Sequence, residues 1–143
     1  GQIMSFNVLI VDDSNAMRSV IRKVIQLSGF RMDHCYEAGN GKQALELLSG
    51  EWVDVILSDI HMPEMDGFEL LREINRHELF KSIPVIMIST EGSLERVNEA
   101  YAMGAKGFIR KPFLPEELKR MLHDVIGVGD EGEYQTDTDE GDF

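Results

Sequence analysis

One cysteine in 143 residues excludes an internal disulfide framework. Cys35 falls in an expected strand and reads as a small buried hydrophobe in a reducing compartment, not as a reactive thiol. No apolar run approaches the ~18 residues of a membrane span, and no basic-then-apolar leader precedes the first strand, so a cytoplasmic location without membrane association is expected. A basic excess is also missing. The chain has 14 Lys and Arg against 26 Asp and Glu, a formal net charge of −12, which argues against direct nucleic-acid binding. Seven of those acids (Asp130, Glu131, Glu133, Asp137, Asp139, Glu140 and Asp142) lie in 127–143, where there is no Lys or Arg. The rest of the chain is therefore near −5, ordinary for a soluble domain. His34, His77 and His123 show no metal-ligand spacing, and no internal repeat is present.

What is present is a regular alternation. Short apolar runs at 7–11, 53–58, 85–88 and 107–110 read as strands, with a weaker one at 32–38. Helical patterns separate them. The first, 15–28, puts Met17, Ile21, Val24 and Ile25 on one face and stops at Gly29. The second carries Ala44, Leu45 and Leu48 and ends near Gly50, and the third carries Phe68, Leu71 and Ile74. The fourth, 93–103, has a stripe of Leu94, Val97, Ala100 and Tyr101. Pro84 opens the fourth strand, and Pro115 opens the last helix ahead of Glu116 and Glu117, which suit a helix N-terminus. Five βα units imply a three-layer α/β sandwich with right-handed crossovers and strands buried on both faces. Trp52 is expected to lid the sheet's lower edge. The domain is expected over 6–126, with 1–5 an N-terminal extension or expression remnant and 127–143 a disordered acidic tail.

In a parallel sheet the strands' carboxyl ends share one edge, where ligands bind. Asp12 and Asp13 follow the first strand, Asp59 the third, Ser89 and Thr90 the fourth, and Lys111 the fifth. Converging carboxylates repel: at an effective dielectric of ~20 and ~4 Å, each like pair costs about 4 kcal/mol. Such a cluster calls for a cation or proton. Hard oxygen donors without a His or Cys cluster favour Mg²⁺ over zinc. A carboxylate is also a nucleophile towards phosphorus, forming an acyl phosphate whose charge a metal and an ammonium would stabilise.

At these residues the sequence resembles the receiver domains of bacterial two-component response regulators, most closely the single-domain chemotaxis type. The stretches that carry the resemblance are VLIVDDSNAMR at 8–18, LSDIHMPEMDGFELL at 57–71, PVIMIST at 84–90 and GAKGFIRKPF at 104–113. It covers about residues 6–126. It implies a doubly wound, flavodoxin-like (βα)5 fold with five parallel strands in the order 2-1-3-4-5, a topology carried over from the family.

The resemblance also implies roles. Asp59 would be the phosphoacceptor, taking its phosphoryl group from a sensor histidine kinase or phosphotransfer protein. Asp13 and Asp59 would be direct Mg²⁺ ligands, with Asp12 acting mainly through water and the backbone carbonyl of His61 as a third protein ligand. Lys111 would contact the phosphoryl oxygens, with a cis bond to Pro112. Ser89 would be the switch hydroxyl and Phe108 the aromatic that moves with it. The helix 4, strand 5 and helix 5 surface would bind a downstream target protein, as a monomer. Ser89 stands where Thr is commonest in the family, and the hydroxyl is retained. Phe108 stands where the chemotaxis type has Tyr, so the phenolic hydrogen bond is lost. His61 and Glu91, two residues past Asp59 and Ser89, either tune the acyl-phosphate lifetime or are plain exposed polar groups.

These features imply a phosphoacceptor switch with auto-phosphotransfer and auto-dephosphorylation chemistry, not a turnover enzyme. Two alternatives stand beside it: a receiver fragment of a longer response regulator, and an aspartate-nucleophile phosphohydrolase. The latter class wants Asp-x-Asp after the first strand, and here Asp12 is followed two residues on by Ser14.

Overall fold

The computed structural model describes residues 4–127. The extension expected at 1–5 lies partly, and the acidic segment almost wholly, outside the described residues. The strands are β1 (Phe6–Val11), β2 (Met32–Ala38), β3 (Val55–Ser58), β4 (Val85–Ser89) and β5 (Gly107–Arg110). Five helices alternate with them: α1 (Asn15–Ser28), α2 (Gly41–Leu48), α3 (Gly67–Arg76), α4 (Leu94–Ala102) and α5 (Pro115–Ile126). All strand pairs are parallel, in the order β2-β1-β3-β4-β5. This is the expected fold class. No helix among the described residues is long and apolar enough to cross a membrane.

Alternation along each strand sends side chains to opposite faces. Val8, Ile10, Val55, Leu57, Ile86 and Ile88 pack with Ile21 and Ile25 of α1 and Leu118 and Leu122 of α5. Leu9, Val11, Ile56, Val85 and Met87 pack instead with α2, α3 and α4. Both faces are covered, which is why the strands read as continuous apolar runs.

Helix ends are fixed locally. Ser14 caps α1, its Oγ accepting the Met17 N–H at 3.1 Å. Asp66 and Glu69 form a reciprocal capping box at α3. Gly29 closes α1 at φ 85°, a left-handed conformation that glycine adopts without strain.

Four sequence expectations need correction. β3 begins at Val55, two residues late, and Pro84 stands just ahead of β4. Trp52 does not lid the sheet: it is 77% exposed, its indole N–H donating to Asp54 Oδ1 at 3.1 Å. The apolar stripe of α4 is not a buried stripe, because Leu94 and Tyr101 are 76% and 46% exposed and only Ala100 is buried. A nine-residue helix against one sheet margin has little core to reach. Cys35 is half-buried, and burial pushes its thiol up, away from the reactive thiolate.

Leu70 and Leu94 therefore separate anchored from superficial helix residues. Leu70→Ala, in a fully buried site on α3, should cost about 2–5 kcal/mol. Leu94→Ala should change stability by about 0.5 kcal/mol or less. Urea unfolding midpoints of both variants check this, and a large loss at Leu94 would contradict the loose seating of α4.

Candidate functional site

Strand register sets the site before side chains are considered. Val11 pairs with Ser58 across β1 and β3, so Asp12 and Asp59 leave the sheet side by side. Ser89 pairs with Arg110 across β4 and β5, and the Lys111 N–H donates to the Ser89 carbonyl at 2.8 Å. Lys111 therefore arrives on the same edge.

Carboxylate oxygens of Asp12, Asp13 and Asp59 lie within 4.8 Å of one another. Asp12 is only 2% exposed, Asp59 is half-buried and Asp13 is open to solvent. Asp12 Oδ1 accepts the Ser14 N–H at 2.9 Å, and its Oδ2 stands 3.3 Å from Lys111 Nζ. Asp59 Oδ1 accepts the Ile60 N–H at 2.8 Å, leaving Oδ2 towards Lys111 Nζ at 3.9 Å. Burial pushes the Asp59 carboxyl above its ordinary value of 3.8. Lys111 and the Ile60 N–H oppose that rise, and Asp12 adds to it. One ammonium thus pairs with two of the three acids. Oxygen-only donors at this spacing fit a hard divalent cation.

The loop after β3 is shaped by a close backbone approach. A Cβ on Gly67 would meet the Asp59 carbonyl oxygen at 2.2 Å and Ile60 Cα at 2.9 Å. Gly67 N–H donates to the Ile60 carbonyl at 2.7 Å, so the first residue of α3 rests directly on the backbone that presents Asp59. The glycine is required by space.

Ser89 is buried, but its Oγ accepts the Glu91 N–H at 3.0 Å and makes no bond to Asp59. Thr90 points out to solvent. Phe108 is half-buried against the sheet face that carries α4. The Lys111–Pro112 bond is cis, as the resemblance implied.

Three arginines escaped the sequence reading. Arg18 donates to the Asp12 carbonyl and Asn15 Oδ1 and pairs with Glu37 at 2.9 Å, while Arg22 holds the other Glu37 oxygen. Burial pushes the Glu37 carboxyl up, but the two arginines outweigh it and hold the group below its ordinary value. The strand end that carries Asp12 is thereby tied to α1 and β2. Arg96 lies over the Phe68 ring at 5.4 Å and reaches Glu91 at 3.4 Å. Glu91 in turn meets His61 Nε2 at 2.8 Å. His61, Glu91 and Arg96 therefore bridge the loops after β3 and β4. The first hint lay in the sequence, since His61 and Glu91 each follow a site residue by two. Arg96 carried no such signal.

Comparison with known proteins gives a consistent result. The response regulator receiver domain family matches residues 8–123. The chemotaxis protein CheY homolog of Campylobacter jejuni is 39% identical over 123 residues, covering 85% of this chain and 93% of that protein. The solved structure of Vibrio cholerae chemotaxis response regulator CheY4 superposes with a TM-score of 0.75 at 36% identity, over 85% of this chain and 99% of that one. The receiver domain of a Pseudomonas aeruginosa sensor histidine kinase superposes with a TM-score of 0.74 at 29% identity, over 87% of this chain and 99% of its own. That structure has a magnesium ion coordinated in its active site cleft.

The raised Asp59 carboxyl has a consequence for stability. A group that holds its proton more tightly when folded lowers stability as pH rises through the window above its ordinary value, and the penalty is complete above that window. Asp59→Asn removes it. In metal-free buffer the variant should melt higher than wild type at neutral pH, and the gap should close as pH falls to the ordinary carboxylate range. Melting temperatures across that range check this; a gap that widens on acidification would refute it.

Proposed function

The chain belongs to the response regulator receiver domains, which are signalling switches and not turnover enzymes, and on that premise we propose that Asp59 is the phosphoacceptor of a phosphorylation-activated switch. The phosphoryl donor in this reading is the phosphohistidine of a sensor histidine kinase or phosphotransfer protein. The domain occupies 6–126 and acts in the cytoplasm as a monomer. The observation that carries the reading is the free Asp59 Oδ2, aimed at Lys111 inside the three-carboxylate cluster.

The transfer balances without a further reagent. A lone pair of Asp59 Oδ2 forms the O–P bond, the P–N bond of a phosphohistidine protonated on its other ring nitrogen breaks, and the neutral imidazole leaves with the bonding electrons. Oδ1 stays held by the Ile60 N–H, so the carboxylate does not rotate away as Oδ2 reacts. Lys111 sits where the transferred oxygens gain negative charge. Asp12, Asp13, Asp59 and the backbone carbonyl of His61 are the groups that would hold Mg²⁺, which when bound supplies charge neutralisation for the same oxygens. Asp12 is already shared with Ser14 and Lys111, which favours an indirect role for it and leaves Asp13 as the freer ligand.

The switch follows from Ser89. Its hydroxyl accepts the Glu91 N–H, and to donate to a phosphoryl oxygen on Asp59 it must give up that bond. The β4–α4 loop then moves with it, and Phe108 on the neighbouring strand gains room to turn inward. Populations shift only as far as the phosphoryl group prefers the inward state. The surface of α4, β5 and α5, with Tyr101, Lys106 and Phe108, is the face that a downstream protein would read.

Acetyl phosphate should add one phosphoryl group to the wild-type chain in Mg²⁺ and none in EDTA, and Asp59→Asn should stay unlabelled, as read by intact mass. Equal labelling of wild type and variant would end the assignment. Asp13→Ala should weaken Mg²⁺ binding about ten-fold or more, and Asp12→Ala less. Calorimetric titration with unchanged affinity in both variants would remove the metal site.

Ser89→Ala should take up phosphate nearly as wild type does, yet leave residues 90–108 unmoved. NMR shifts with beryllofluoride test this, and a full response in the variant would show that the hydroxyl is not the transmitter.

A further inference from the structure

Outside the acid site, one feature of the surface lacks a counterpart. Among the described residues seven cations pair with no described acid; Lys23, Arg31 and Arg72 are scattered over three segments, whereas Lys106, Arg110, Lys119 and Arg120 fall close together. These four cations belong to the last strand–helix unit. Arg110 and Arg120 rim a groove of about 590 Å³ between β5 and α5, with Phe108, Ile109 and Met121 as its apolar part. Glu117 and Asp124 also reach it. The outer edge of β5 is unpaired, since the sheet ends there.

The chain that follows α5 has the complementary chemistry. From Asp130 to Asp142 it carries seven carboxylates and no Lys or Arg, with Tyr134 directly after Glu133. Reach is sufficient. Arg120 lies seven residues before Gly127, about 10 Å along the helix at ~1.5 Å per residue. From Gly127 to Tyr134 an extended chain spans up to about 24 Å at ~3.3–3.6 Å per residue. A tether this short holds the segment near its own groove at a high effective concentration, so contacts that are individually weak act together.

We propose that the acidic segment after Gly127 docks in the groove between β5 and α5 of its own chain, with the Tyr134 ring on the floor made by Phe108 and Met121 and the neighbouring carboxylates on Arg110 and Arg120. Intramolecular occupation is favoured over a separate acidic partner because the tether brings the matching charge to this face before any partner arrives. If the face is the output surface of the proposed switch, the segment competes with the downstream protein. That clause rests on the proposed function; the docking does not.

The test uses the full chain without phosphodonor or metal, so its outcome is independent of Asp59 chemistry. Wild type is compared by NMR with a variant of the same length in which the seven acids are changed to their amides. Amide shifts should differ at 106–110 and 117–124 and not along the exposed face of α1, and the difference should collapse in about 0.5 M salt, where the screening length is only a few ångströms. Tyr134→Ser should weaken the difference, and Arg110→Glu with Arg120→Glu should abolish it. Superimposable spectra of wild type and the neutralised variant would overturn the proposal. Shifts that fade on dilution would also overturn it, since they would place the segment on a second copy.

Discussion

Parallel register is the constraint on which the rest of this structure depends, because it alone decides which side chains meet at the sheet's edge. Val11 lies opposite Ser58 and Ser89 opposite Arg110. Each of these residues is the last of its strand, so the next residues step off together. A slip of one residue in β3 would exchange its two core faces and turn Asp59 away from Asp12. The apolar strands that fill the interior therefore also enforce the position of the acids, and core packing and site geometry are one problem.

The site itself is electrostatically unfinished. Three carboxylates meet beside one ammonium, which pairs with two of them: Asp12, the most buried, at 3.3 Å and Asp59 at 3.9 Å, leaving Asp13 without a cation. Elsewhere the protein balances its buried charge: Glu37 has two arginines and sits comfortably ionised. The contrast between a satisfied acid on β2 and an unsatisfied one after β3 marks the second as the place where a ligand's charge has a large effect.

The strands, their order of appearance and the residues at their ends were legible in the sequence, because buried strands make short β-branched runs and the acids, hydroxyl and lysine follow them directly. Gly29 as the stop of α1 and Pro115 as the start of α5 were legible for similar local reasons. The misreadings share a cause. A stripe such as Leu94, Val97 and Tyr101 has the right period, but whether a core lies opposite depends on the neighbouring layer, which periodicity does not report. Trp52 misled in the same way, since its size suggested burial while Asp54 supplied a partner outside. Arg18 and Arg96 were invisible because their partners lie on other loops and strands, beyond any local pattern.

The shallow seating of α4 has a thermodynamic meaning of its own. Its attachment rests on Ala100, a few half-buried neighbours and the stack of Arg96 on the buried Phe68 ring, and its N-cap is a single Ser93 hydroxyl. Such an element opens at a fraction of the free energy needed to unfold the whole domain, so its amides exchange with solvent well before those of α3 or the central strands. The described residues thus divide into a frame that fixes the carboxylates and a loosely held α4 whose local order is cheap to change.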